Sequence, residues 1–239
     1  FAVVGGNHQT GIVGQPLSES LKVRLTSGGS PVAANPVTFE VSGGNTLLGE
    51  SEQTIIPTNA EGIAELNVTL GTAAGPHQIS AVCELLPDSV VVFDLTAHPG
   101  NAVALLKVNG DEQQAAPNTV LPDSIKVHVR DSYDNAVAGE PVAFSALTGG
   151  SIISPPTVMT DSLGFAAAVV QVDERPGPYY FQAALSSGVG VMFTANVVKQ
   201  NTPPTIAAFE PVETELYQNF GDYLIFKINQ VDDPDNDPM

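Results

Sequence analysis

Apolar residues alternate with polar ones over most of the chain, which is the period of a strand with one buried face. Leu21, Val23 and Leu25 alternate with Lys22, Arg24 and Thr26. Ile125, Val127 and Val129 alternate with Lys126, His128 and Arg130. The other predicted strands come in similar pairs. Val37, Phe39 and Val41 match Val142, Phe144 and Ala146; Ala64, Leu66, Val68 and Leu70 match Ala166, Ala168, Val170 and Val172. Ile79, Ala81 and Cys83 match Phe181, Ala183 and Leu185, and Phe93, Leu95 and Ala97 close one copy as Val191, Phe193 and Ala195 close the other. No stretch has helical spacing of apolar residues. Turn residues interrupt the pattern about every 8–12 residues, as in an antiparallel sandwich.

The pairing of segments is a repeat. Leu17-Ser-Glu-Ser-Leu-Lys-Val-Arg-Leu25 returns as Leu121-Pro-Asp-Ser-Ile-Lys-Val-His-Val129. Pro36-Val37-x-Phe39 returns as Pro141-Val142-x-Phe144, Thr58-x-x-x-Gly62 as Thr160-x-x-x-Gly164, and Gly75-Pro76 as Gly177-Pro178. The offset stays between 102 and 106 residues, so the repeated unit is a whole domain and not a small stacked element. The expected organisation is a first sandwich over 1–99, a second over 100–198, and a linker with the first strands of an incomplete module over 199–239. Phe1 aligns with Leu105. The short junction Ala97-His98-Pro99-Gly100-Asn101 limits bending between the copies.

The motifs of both copies resemble the bacterial immunoglobulin-like repeat of group 1, found in invasin- and intimin-type surface proteins. The resemblance rests on Val127-His-Val-Arg-Asp-Ser-Tyr-Asp-Asn-Ala-Val-Ala-Gly-Glu-Pro-Val-Ala-Phe144, on Thr160-Asp-Ser-Leu-Gly-Phe-Ala166 with its counterpart Thr58-Asn-Ala-Glu-Gly-Ile-Ala64, and on Gly177-Pro-Tyr-Tyr-Phe-Gln-Ala183. Copy one departs where Ser27-Gly28-Gly29-Ser30-Pro31 replaces Asp131-Ser132-Tyr133-Asp134-Asn135, which predicts a reshaped turn. Asp161 with Gly164, and Asp131 with Asn135, suit tight turns, where a side-chain oxygen accepts from nearby backbone N–H groups. A calcium role for these turns is the rival reading.

Residues 199–239 break the period. Asn201-Thr-Pro-Pro-Thr-Ile206 reads as a stiff linker entering a strand, and Tyr223 to Ile228 as an alternating strand. This segment resembles the start of a cadherin-like or PKD-like repeat. Asp232, Asp233, Asp235, Asn236 and Asp237 put five oxygen-bearing side chains in six positions. A hard cation takes 6–8 oxygens. The resemblance implies that such a loop works with a Glu near the first strand; Glu210, Glu213 and Glu215 are candidates. Two readings stand: a solvated acidic loop, or one calcium site formed by Asp232, Asp233, Asp235, Asp237 and Glu213. The linker lacks the aspartates of a full cadherin linker. The apolar face Leu224, Phe226 and Ile228 needs a cover, so self-association or a partner chain is expected at 205–239.

Composition narrows the classes of function. The chain has 26 acidic and 8 basic residues, a formal net charge of −18, which makes nucleic acid a poor partner. One cysteine, Cys83, excludes an internal disulfide, and its place opposite Leu185 predicts a buried thiol. No run of about 20 apolar residues spans a membrane. The chain opens at Phe1 inside a strand pattern, which reads as a piece of a longer exported polypeptide. His8, His77, His98 and His128 lack metal-ligand spacing and read as solvated. No catalytic constellation assembles. The expected function is a non-enzymatic spacer of an extracellular or cell-surface bacterial adhesin. The alternatives are a module binding glycan or host protein, with Tyr133, Tyr179 and Tyr180 as contact aromatics, or a filament subunit joined by strand exchange.

Overall fold

The computed structural model describes residues 1–199, 205–211 and 226–232, and every regular element among them is a β-strand. The first ten are β1 (Ala2–Gly5), β2 (Thr10–Ile12), β3 (Leu21–Arg24), β4 (Thr26–Ser27), β5 (Ser30–Pro31), β6 (Pro36–Gly43), β7 (Gln53–Pro57), β8 (Ile63–Leu66), β9 (Gly75–Cys83) and β10 (Leu86–His98). They form a three-stranded sheet, β1-β3-β8, a five-stranded sheet, β2-β10-β9-β6-β7, and a small ribbon, β4-β5. The next ten are β11 (Ala104–Asn109), β12 (Gln113–Ala115), β13 (Ile125–Arg130), β14 (Pro141–Ala146), β15 (Ser151–Ile152), β16 (Thr157–Met159), β17 (Phe165–Ala168), β18 (Val170–Gln171), β19 (Gly177–Leu185) and β20 (Gly190–Val197). They repeat the plan as β11-β13-β17 and β12-β20-β19-β14-β16, with β15-β18 as a small ribbon. β21 (Thr205–Pro211) and β22 (Phe226–Asp232) pair antiparallel.

Two separate cores lie between the sheets. The first contains Leu21, Val23, Val37, Phe39, Ala64, Ile79, Ala81 and Phe93, all fully buried. The second contains Ile125, Val127, Val129, Val142, Phe181, Ala183 and Phe193 in matching places. Facing positions therefore come from the alternation itself: each strand sends every second side chain between the sheets. Burying an aliphatic or aromatic side chain of this size contributes about 1.5–3 kcal/mol, so each copy carries its own stabilising centre. The closing strand differs from the expected match by one alternate position. Phe193, Ala195 and Val197 line the core opposite β19, whereas Val191 is only half-buried.

Turn chemistry fixes the strand order locally. Asp161 Oδ1 accepts from Leu163 N and Phe165 N, each at 2.9 Å, and Asn59 Oδ1 accepts from Glu61 N at 3.0 Å and Ile63 N at 2.9 Å. Gly62 and Gly164 close these turns at φ of 72° and 77°, a region costly for a residue with a Cβ. The departure in copy one is a hairpin: Thr26 pairs with Pro31 and Ser27 with Ser30 around Gly28-Gly29, both at positive φ. Two adjacent positive φ values are what a two-residue hairpin turn of the I′ kind requires.

Candidate functional site at the joint between the sandwiches

The two sandwiches meet through the turn Asp131-Ser132-Tyr133-Asp134-Asn135, which follows β13. Asp131 is only 3% exposed. Its Oδ1 accepts from Tyr133 N and Asn135 N, both at 2.9 Å, and its Oδ2 from Gly100 N at 2.8 Å and Asn135 Nδ2 at 3.0 Å. One carboxylate thus ties its own turn to the linker. Burial opposes its charge. The bonds from Asn135, Gly100 and Tyr133 outweigh that and hold the carboxyl below the usual carboxylate range.

Asn135 carries the contact across the joint. Its Oδ1 accepts from Ala74 N at 2.8 Å, and its Nδ2 donates to Thr72 O at 2.9 Å. The Thr72–Ala74 loop belongs to the first sandwich, so one amide side chain satisfies a donor and an acceptor of the neighbouring copy. Tyr133 lies against Gly14. A Cβ on Gly14 would sit 2.6 Å from the Tyr133 hydroxyl, and Gly14 has φ of 70°. Arg130 and Asp134 pair beside the turn, and Asp134 takes φ of 69°. All four groups that donate to Asp131 are N–H groups, with Asn135 Nδ2 reaching both oxygens, so this carboxylate organises the turn.

The structure corrects three expectations about single residues. His77 is buried, with Nδ1 2.8 Å from Thr46 Oγ1 and Nε2 2.8 Å from Ala73 O. It props the loop that Asn135 grips. His128 is half-buried: its ring stacks 4.3 Å from that of Phe165, and its Nδ1 accepts from Arg130 Nε at 3.1 Å. Burial first, and then the Arg130 charge, depress its basicity. The alternation pointed both rings outward or left them open, but aromatic rings on a sheet face cover apolar neighbours. Tyr179 is no surface aromatic either: it is 5% exposed, and its hydroxyl donates to Arg175 O at 2.9 Å. His8 and His98 are exposed, and Cys83 is a buried free thiol, 2.8 Å from Asn35 Oδ1.

A second repeated device went unread in the sequence: Gly6-Asn7-His8-Gln9 returns as Gly110-Asp111-Glu112-Gln113. Gln9 Nε2 donates to Gly6 O and Glu19 O, both at 2.8 Å, and Gln113 Nε2 donates to Gly110 O at 2.8 Å and Asp123 O at 2.9 Å. Asn7 Oδ1 accepts from Asp94 N and Asp111 Oδ1 from Thr194 N, each at 2.8 Å. The repeat of Gly-Asx-x-Gln at a constant offset was the available signal. It sits in the loop where the chain crosses between sheets, outside the strand pattern.

Of the residues proposed for calcium, Asp232 closes β22, while Asp233, Asp235, Asp237 and Glu213 lie outside the described residues. Leu224 also lies outside them. Among the described residues no cluster of three or more His, Cys, Asp or Glu side chains is placed to hold a metal ion. A cleft of about 550 Å³ opens beside the joint between Asn45, Thr46, Leu47, Glu52 and Thr72. Its single titratable side chain is Glu52, so it offers no acid–base pair.

Comparison with known proteins agrees with this architecture. The family model of the bacterial Ig-like domain, group 1, matches residues 105–199. Residues 105–199 are a bacterial Ig-like domain of group 1. The inverse autotransporter adhesin YeeJ of Escherichia coli strain K12 is 30% identical over 196 residues, covering 79% of this chain. The chain spans 8% of that protein's length. Two solved structures share the fold. FdeC of Escherichia coli matches with a TM-score of 0.55 at 13% identity, over 84% of this chain and 64% of that one. InvD of Yersinia pseudotuberculosis matches with a TM-score of 0.53 at 17% identity, over 86% and 61%. The repeats of this chain are thus similar to those of a bacterial surface protein, and their setting is extracellular or on the cell surface.

Proposed function

We propose that this chain is a non-enzymatic, semi-rigid spacer of a bacterial surface adhesin, which holds other parts of the protein away from the cell. The observation that carries this is the joint. Only residues 99–103 separate β10 from β11, and within them Gly100 is bonded to Asp131 while Asn135 bridges to Thr72 and Ala74. A linker of Gly and Ser would leave two such modules free to pivot; this one is fastened at both sides of the turn. The acidity suits the role, since like charge along the chain opposes collapse onto neighbours.

Small-angle X-ray scattering on the intact chain tests the reading. An extended, narrow distance distribution is expected, broadened by Asn135→Ala. A compact wild-type particle, with the sandwiches folded side by side, would overturn it.

A further inference from the structure

We propose that each sandwich is a shear clamp, built to resist tension along the chain. The inference rests on the spacer reading, since it takes load to enter and leave by the ends of each sandwich. In the first sandwich the clamp is formed by β2 and β10, the strands where the chain enters and leaves the five-stranded sheet. They run parallel, with Thr10, Gly11 and Ile12 beside Thr96, Ala97 and His98. In the second sandwich β12 and β20 repeat this, with Gln113, Gln114 and Ala115 beside Ala195, Asn196 and Val197. The other strand pairs of both sandwiches are antiparallel.

Direction decides the mechanics. A pull toward the N-terminus on β2 and toward the C-terminus on β10 slides two parallel strands past one another. Every bond along the seam is then loaded together. A pull that starts from one end opens the same bonds one at a time. The seam extends beyond the ladder: Thr96 N donates to Gln9 O and Val13 N to His98 O, both at 3.0 Å. In the second sandwich Val198 N donates to Ala115 O at 3.0 Å.

The Gly-Asx-x-Gln loops lock the entry strand at the start of this seam. Asn7 fastens it to β10 through Asp94 N, and Gln9 fastens it to the Glu19 backbone, accepting from Glu19 N at 2.9 Å. Asp111 and Gln113 repeat both contacts, with Asp123 N donating to Gln113 at 2.7 Å. Entry strand and exit strand are thus pinned where opposite forces meet. Burial opposes ionisation of Asp111, but bonds from Lys107 and Thr194 N hold its carboxyl below the usual range, so the second clamp carries a charged acceptor.

Single-molecule force spectroscopy on the intact chain tests this, because forced unfolding reads the unfolding barrier and not the equilibrium stability. Handles at the two termini should give one high-force event per sandwich. A handle at Asp88→Cys, in the exposed hairpin before the seam, paired with the N-terminal handle, should unfold the first sandwich at lower force. Asn7→Ala with Gln9→Ala should lower the end-to-end force of the first event and leave the force in the Asp88 geometry unchanged. Equal forces in the two geometries would overturn the clamp. Scattering separates the two proposals: an extended chain with equal forces is a spacer without a clamp, and a compact chain removes the spacer reading first.

Discussion

Replacing Asp131 by Ala removes the acceptor on which the joint is organised. Three backbone donors, Gly100 N, Tyr133 N and Asn135 N, and one side-chain donor, Asn135 Nδ2, converge on this carboxylate. A hydrogen bond to a charged group contributes about 1.5–3 kcal/mol, and stranded buried donors add desolvation cost. Water reaches part of the emptied turn, so not every bond counts in full. The expected loss for Asp131→Ala is about 3 kcal/mol, the low end of the range for two bonds. In a domain of this size each kcal/mol moves Tm by about 4–8 °C, so the second sandwich should melt about 12 °C or more lower. Differential scanning calorimetry on the intact chain reads the two sandwiches as separate contributions. The transition of the first should move little, because its core shares no residue with the second. Asp131→Asn keeps one acceptor oxygen and should lose less. A shift below about 2 °C for Asp131→Ala, where 1 kcal/mol already implies more, would refute the assignment of Asp131 as the organising acceptor.

Stability should fall in two acid windows. The His128 site resists protonation in the folded state, so stability declines as pH drops below the unfolded histidine value of about 6.5. The carboxyls of Asp111 and Asp131 are held low, so their contribution is full above the unfolded value of about 3.9 and is lost as pH falls through the lower folded values; the slope should be shallower in Asp131→Asn by urea titration at stepped pH. Gly14→Ala should broaden the scattering distance distribution as Asn135→Ala does, since the added Cβ meets the Tyr133 hydroxyl; an unchanged profile would remove Tyr133 from the joint. Cys83 should stay unreactive to a thiol reagent until urea unfolds the first sandwich, and rapid native labelling would contradict its burial. Calcium at 100 times its dissociation constant should stabilise the intact chain by about 2.7 kcal/mol and leave a chain ending at Val198 unchanged; no shift in either chain would reject the acidic cluster as a site.

Strand-level organisation was legible because period-two alternation and turn chemistry are local. The facing residues of β3, β6, β9, β13, β14 and β19 follow from their own sequence, and Gly62 and Gly164 mark turns that only positive φ can close. Duplication was legible because the motifs recur in order. Three things needed the tertiary structure. The partner of Asn135 lies more than sixty positions away on another sandwich, and no local pattern encodes it. The fate of His77 and Tyr179 depended on which loop folds over the sheet end, since an amphipathic ring suits either surface or core. The parallel seam of β2 with β10 and of β12 with β20 arises from which strand closes each sheet edge. Alternation reports which face of a strand is buried; it carries nothing about the direction of the strand beside it.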